Sequence, residues 1–83
     1  MGRSLQFESS AKRDLALLPA ADARHVLEAI ETYAASGIGD LKKLKGYKSP
    51  TWRLRVGRFR VLHQLRGSTI IITEISDRRD AYR

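Results

Sequence analysis

Four arginines fall within eight residues of one another, Arg53, Arg55, Arg58 and Arg60, in the stretch WRLRVGRFRVLHQ that runs from Trp52 to Gln64. Trp52, Leu54, Val56, Phe59 and Val61 alternate with them, which in a strand sends apolar side chains to one face and guanidiniums to the other. Arg53 and Arg55 share a face, and antiparallel pairing about Gly57 brings Arg60 beside them. Like charges that close are mutually unfavourable until an anion bridges them, and the planar guanidinium fork matches a phosphate. The chemistry on offer is therefore phosphate binding. The competing reading has the same arginines lying over the sheet or pairing with the carboxylates of a partner chain.

Cleaving an RNA phosphodiester through its own 2′-hydroxyl needs a group to take the 2′ proton, a group to hold the pentacoordinate phosphorane and a group to protonate the leaving 5′ oxygen. Arginine serves the second task and not the other two, because it stays protonated up to a pKa of about 12 or more. Tyr82 is the nearest candidate for proton transfer in the tail; its competing role is that of a terminal aromatic with no partner. His63 shares the apolar face with Phe59, Val61 and Leu65, which reads as a packed structural histidine, and His25 as a surface residue of a helix. Glu74 is placed to act as a base, or else to pair with a neighbouring arginine. No Ser/His/Asp set, glycine-rich phosphate loop or paired carboxylates can be read, so an enzyme built this way works mainly by electrostatics and positioning.

The field around these residues is one-signed. The net charge is +7, yet residues 1–40 hold four bases against six acids, whereas residues 41–73 hold nine bases and no acid. A folded surface of that kind attracts RNA, DNA or an acidic protein segment. Eighty-three residues make room for one domain, 1–83, with one modest core. With no cysteine and two distant histidines, no disulfide, thiolate nucleophile, metal site or cofactor is expected. The apolar run Thr69 to Thr73 is too short to cross a bilayer, and no signal-peptide stretch is seen, so the expectation is a cytoplasmic protein without membrane contact.

The elements that would carry the site follow from periodicity. Leu5 and Phe7 alternate with polar residues in a short strand, Ser4 to Glu8. Ser9 or Ser10 is placed to cap a helix with Ala11, Leu15 and Leu18 on one stripe. Pro19 separates it from a second helix with Ala23, Val26, Leu27, Ile30 and Tyr33 on one stripe, which Gly37 stops. Leu41 and Leu44 anchor the basic run LKKLKG, and Gly46 to Pro50 reads as a turn. Strands are expected at Thr51 to Val56, Phe59 to Arg66 and Thr69 to Ser76, joined by tight turns at Gly57–Arg58 and Gly67–Ser68. The first strand must pair somewhere in that meander, since a lone strand leaves its backbone groups unpaired.

With SSAKRDLALLP, LKKLKG, WRLRVGRFRVLHQL and the ending ISDRRDAYR in place, the sequence resembles the RelE/ParE superfamily of toxins from type II toxin–antitoxin modules, over nearly the whole chain. The resemblance rests on LKKLKG followed by RLRVGRFRV and on an ending similar to HRxxVY. It implies an α+β fold, in which an N-terminal strand and two-helix hairpin pack on a twisted antiparallel β-sheet, the RelE-like fold. It implies an antitoxin with an acidic binding segment as partner. For the RelE-like branch it implies a metal-independent, ribosome-dependent endoribonuclease cutting mRNA in the A site. On that match Arg53, Arg55, Arg60, Arg78 and Tyr82 are the catalytic set. Arg60 would hold the scissile phosphate, and Tyr82 would stack on a base or help remove the 2′ proton. Lys42, Lys43, Lys45 and Arg58 would contact RNA.

The chain also departs from the pattern. Asp77 stands where many relatives have histidine, His63 and Phe59 replace tyrosines, and Arg58 replaces the acid usual after the glycine. Two other functions stay open: a noncatalytic ParE-like inhibitor of DNA gyrase, and an inactive relative that only binds its antitoxin or nucleic acid. The retained Arg/Tyr ending favours the nuclease.

Overall fold

A computed structural model describes residues 2–77. The elements run β1 (Ser4–Phe7), α1 (Ser9–Ala16), α2 (Ala20–Ser36), β2 (Asp40–Leu44), β3 (Thr51–Val56), β4 (Phe59–Arg66) and β5 (Thr69–Asp77). The sheet has the strand order β1-β5-β4-β3-β2. From β2 to β5 neighbours pair antiparallel, while β1 lies parallel to β5, Leu5 opposite Ile70 and Phe7 opposite Ile72. A parallel neighbour needs a crossover, and the two helices supply it. The sheet is thus mixed, with an antiparallel meander of four strands instead of the expected three.

The additional strand is the LKKL run, expected to be an anchored basic stretch ahead of a turn. Leu41 pairs with Leu54 and packs on the core, whereas Lys42 pairs with Arg53 on the other face. Two lysines on an edge strand also discourage pairing with another chain.

The helices cover one face. Val26, Ile30, Tyr33 and Ala34 of α2 and Ala11 of α1 bury against Leu54, Val56, Phe59, Val61, Ile70, Ile72 and Ile75. Each fully buried aliphatic side chain contributes about 1.5–3 kcal/mol. Pro19 caps α2 from an extended conformation, and Gly37 ends it in the left-handed region at φ 78°, its N–H donating to Tyr33 O at 2.8 Å. Only glycine adopts that φ without strain. No serine side chain caps α1. Ser10 Oγ instead donates to Thr73 O at 2.8 Å, and Asp14 Oδ2 accepts from Ile75 N at 3.0 Å. Both bonds satisfy β5 backbone groups beyond the end of β1, where no neighbouring strand is available.

At that same place β5 is irregular. Leu62 faces Glu74 but the next residue, His63, faces Ile72, so Thr73 is an extra residue in the ladder. Its hydroxyl donates to Leu62 O at 3.2 Å. No helix among the described residues is long and apolar enough to cross a membrane.

Candidate anion-binding face of the sheet

The face away from the helices is read from the pairing register. One row across it holds Asp40, Arg55, Arg60 and Ser76; the next holds Lys42, Arg53, Leu62 and Glu74. The expected juxtaposition of Arg53, Arg55 and Arg60 is therefore present, with Arg55 and Arg60 directly opposite one another. Lys42 joins them beside Arg53. Lys43 does not, because it pairs with Trp52 in the row that contains His63 and Ile72 and faces the helix side. Lys45 lies beyond β2 in the loop to β3 and is exposed.

The polar contacts of this cluster are incomplete. Arg53 Nη2 meets Asp40 Oδ1 at 3.2 Å, and Arg55 Nε donates to Gly57 O at 3.4 Å. Arg60 makes no hydrogen bond or ion pair among the described residues. The Nε atoms of Arg53 and Arg60 are both buried and have no partner among the described residues. A buried guanidinium donor without an acceptor is costly, since it has lost water and gained nothing in return. An anion lying over the cluster would supply the missing acceptors, and a phosphate has several oxygens to offer.

Arg58 departs from the expected arrangement. It sits in the β3–β4 turn, where strand alternation no longer applies, and reaches the helix layer instead of the arginine face. Its Nη2 lies 3.3 Å from Asp22 Oδ2 in the first turn of α2, and its Nε 3.1 Å from Asp77 Oδ2 at the end of β5. The guanidinium carbon also stands 5.0 Å from the centre of the Phe59 ring. Asp77, which stands where many relatives have histidine, faces Arg58. Arg78 and Tyr82 lie outside the described residues.

His63 is the packed histidine its position suggested: it is fully buried, with Nε2 3.0 Å from Tyr33 Oη. Burial holds its pKa below the ordinary histidine value and pushes the Tyr33 phenol up, against the opposing pull of Arg3 on the phenol. His63 is thus neutral and remote from the cationic face. Of the two roles open to Glu74, base or partner of an arginine, the second is not seen: the exposed side chain makes no ion pair or hydrogen bond among the described residues. Lys42 and Lys43 are equivalent in sequence, and only the register separates them, placing Lys42 in the arginine rows.

No protein-family model matches the sequence, and no curated protein matches it. Solved structures do. The toxin–antitoxin complex RelBE2 from Mycobacterium tuberculosis superimposes with a TM-score of 0.82 at 25% identity, over 94% of this chain and 100% of the other. The RelB–RelE antitoxin–toxin complex from Methanococcus jannaschii gives 0.74 at 27% identity, over 93% and 94%. The archaeal RelE–RelB complex from Pyrococcus horikoshii gives 0.76 at 24%, over 94% and 97%. The fold, a helical hairpin on a five-stranded sheet whose free face is cationic, is that of a small toxin. The chain belongs to the RelE-like toxin superfamily.

Proposed function

We propose that this chain is the toxin of a type II toxin–antitoxin module and that it cuts mRNA in the ribosomal A site, using the 2′-hydroxyl of the substrate as nucleophile and no metal. The observation that carries the reading is the pair of buried, unpartnered Nε donors of Arg53 and Arg60 on a face that also presents Arg55 and Lys42. Guanidiniums held in advance at a phosphate stabilise the charge that builds on its oxygens during in-line attack, and need no reorganisation to do so. Arg53 and Arg60 hold the scissile phosphate, Arg55 adds to the field, and Lys42 and Lys45 contact RNA. Arg78 and Tyr82 complete the set, Tyr82 by stacking on a base or assisting proton transfer.

The partner is an antitoxin, which the toxin–antitoxin complexes among the similar structures support; an acidic segment of it would cover the basic surface. The cytoplasm is where such a target is met.

Primer-extension mapping of a defined mRNA on programmed ribosomes tests the reading, with wild type, Arg60→Ala and Tyr82→Phe side by side and a lane without ribosomes. Discrete A-site cuts that need ribosomes and weaken about 100-fold or more in Arg60→Ala are expected, the loss typical of one removed charge-stabilising donor. A folded wild type that cuts nothing sinks the reading. Inhibition of gyrase supercoiling would then identify a noncatalytic toxin, and binding of antitoxin alone an inactive one.

A further inference from the structure

Thr73 reverses the parity of β5. Ile70 and Ile72 face the core opposite Leu5 and Phe7. Unbroken alternation would send the next even position, Glu74, into the core with them. The extra residue shifts the count, so that Ile75, opposite Val61 and 4% exposed, enters the core, and Glu74 emerges on the arginine face. Bulges that re-aim one side chain are concentrated next to active sites. This one is secured from three directions: Thr73 Oγ1 bonds Leu62 O, Ser10 Oγ bonds Thr73 O, and Asp14 Oδ2 takes the Ile75 N–H.

The carboxylate so delivered is the first acid after the acid-free stretch of residues 41–73. It faces Leu62, across β4 from Arg53, and is the diagonal neighbour of Arg60, whose own partner is Ser76. Diagonal positions of an antiparallel pair lie about 7–8 Å apart at Cα, within reach of long side chains. Even so, Glu74 pairs with neither arginine. A carboxylate that is unpaired among the described residues thus stands on the same face as the proposed phosphate site and one diagonal step from Arg60, where arginine cannot accept a proton.

We infer that Glu74 is the general base of the proposed cleavage, placed on the cationic face by the Thr73 bulge; the inference rests on the nuclease reading above. The 2′ O–H bond breaks and its proton passes to the Glu74 carboxylate. The 2′ oxygen bonds to phosphorus, and the P–O5′ bond breaks with the 5′ oxygen taking a proton from water; the hydroxide left behind takes the proton from Glu74 and restores its carboxylate. The product ends are a 2′,3′-cyclic phosphate and a 5′-hydroxyl, and Tyr82 is left free to stack.

Glu74→Gln keeps size and exposure while removing the proton acceptor. Two measurements on the full-length chain decide the matter: ribosome-dependent cleavage of a defined mRNA, and affinity for a fluorescein-labelled, fully 2′-O-methylated single-stranded RNA, which binds but cannot be cut. A general base predicts a fall in cleavage of at least 100-fold, affinity unchanged or tighter because a negative charge is gone, and partial recovery in Glu74→Asp. Cleavage within threefold of wild type overturns the inference. So does a parallel loss of cleavage and affinity, which marks a structural role, or a rise in both, which marks a mere repulsive charge. A wild type that does not cut removes this inference together with the nuclease reading; an active wild type beside an active Glu74→Gln removes this one alone.

Discussion

Tyr33 and His63 meet in the core between α2 and β4, Oη to Nε2 at 3.0 Å, with ring centroids 5.1 Å apart and planes inclined by 59°. The pair puts one hydrogen bond between two rings that otherwise act as apolar filling. Its weak point is His63 Nδ1, which is buried and makes no well-formed hydrogen bond among the described residues, the Val61 backbone only partly compensating.

Stability should consequently depend on pH below neutrality. Burial lowers the folded-state pKa of His63 beneath the ordinary value of 6.5, so the unfolded chain binds the proton more readily than the folded one. The His63 contribution is fully present above about pH 6.5 and is lost as pH falls from there through the folded value, with a slope of at most about 1.4 kcal/mol per pH unit. Urea unfolding between pH 8 and pH 5 checks this. His63→Leu should flatten that part of the curve while lowering stability overall by about 1–3 kcal/mol, because the buried Tyr33 hydroxyl loses its His63 partner.

Gly39 marks a close approach. A Cβ there would stand 2.6 Å from Leu54 Cδ1, and Leu54 is 2% exposed with little room to retreat. Gly39→Ala should cost about 1–3 kcal/mol as an overpacked core does. Adding Leu54→Val removes the clashing methyl, so the double variant should lose less than the sum of the two single losses. Additive losses by urea titration would show that the contact is not the cause.

Arg58 ties three elements together at one corner: the β3–β4 turn, the first turn of α2 through Asp22, and the end of β5 through Asp77. The arginine is 46% exposed and Asp77 only 12%, so screening discounts the arginine's pairs, and the half facing Asp77 matters more. Arg58→Gln should destabilise by about 1 kcal/mol in low salt and by less in high salt. Asp77→Asn should cost more than Asp22→Asn. Equal losses at all salt concentrations would point to packing on Phe59 in place of charge.

Some of this was legible before the structure and some was not, for physical reasons. The β3–β4 hairpin could be read to the residue because period-two alternation is interrupted only at Gly57–Arg58, and the histidine in the apolar series had to be buried. LKKL does not announce a strand because Leu41 and Leu44 are three apart, a spacing foreign to a strand; they lie on opposite faces, and Leu44 does not join the core. The parity change at Thr73 left no trace, since three consecutive isoleucines, all buried, suit either register. The exit of Arg58 to the helix layer depends on Asp22, 36 residues away, and no local pattern reveals it.

The separation of Lys42 from Lys43 gives the last prediction. Adjacent residues of β2 point to opposite faces, and the register assigns Lys42 to the row of Arg53 and Lys43 to the row of Trp52. If single-stranded RNA lies along the arginine face, each cation it meets releases a counterion, and the logarithm of affinity falls with the logarithm of salt by about 0.7 per phosphate neutralised. Lys42→Ala and Arg55→Ala should each make that slope shallower by about one contact's worth. Lys43→Ala should leave it unchanged despite removing the same charge one residue away. Titrating the labelled 2′-O-methylated RNA from about 50 to 200 mM salt measures all three. Equal effects from Lys42 and Lys43 would mean that RNA responds to the net charge of the edge strand and not to one face of the sheet. A slope altered by Lys43 alone would put the RNA on the helix side, where the free Nε donors of Arg53 and Arg60 could not reach it.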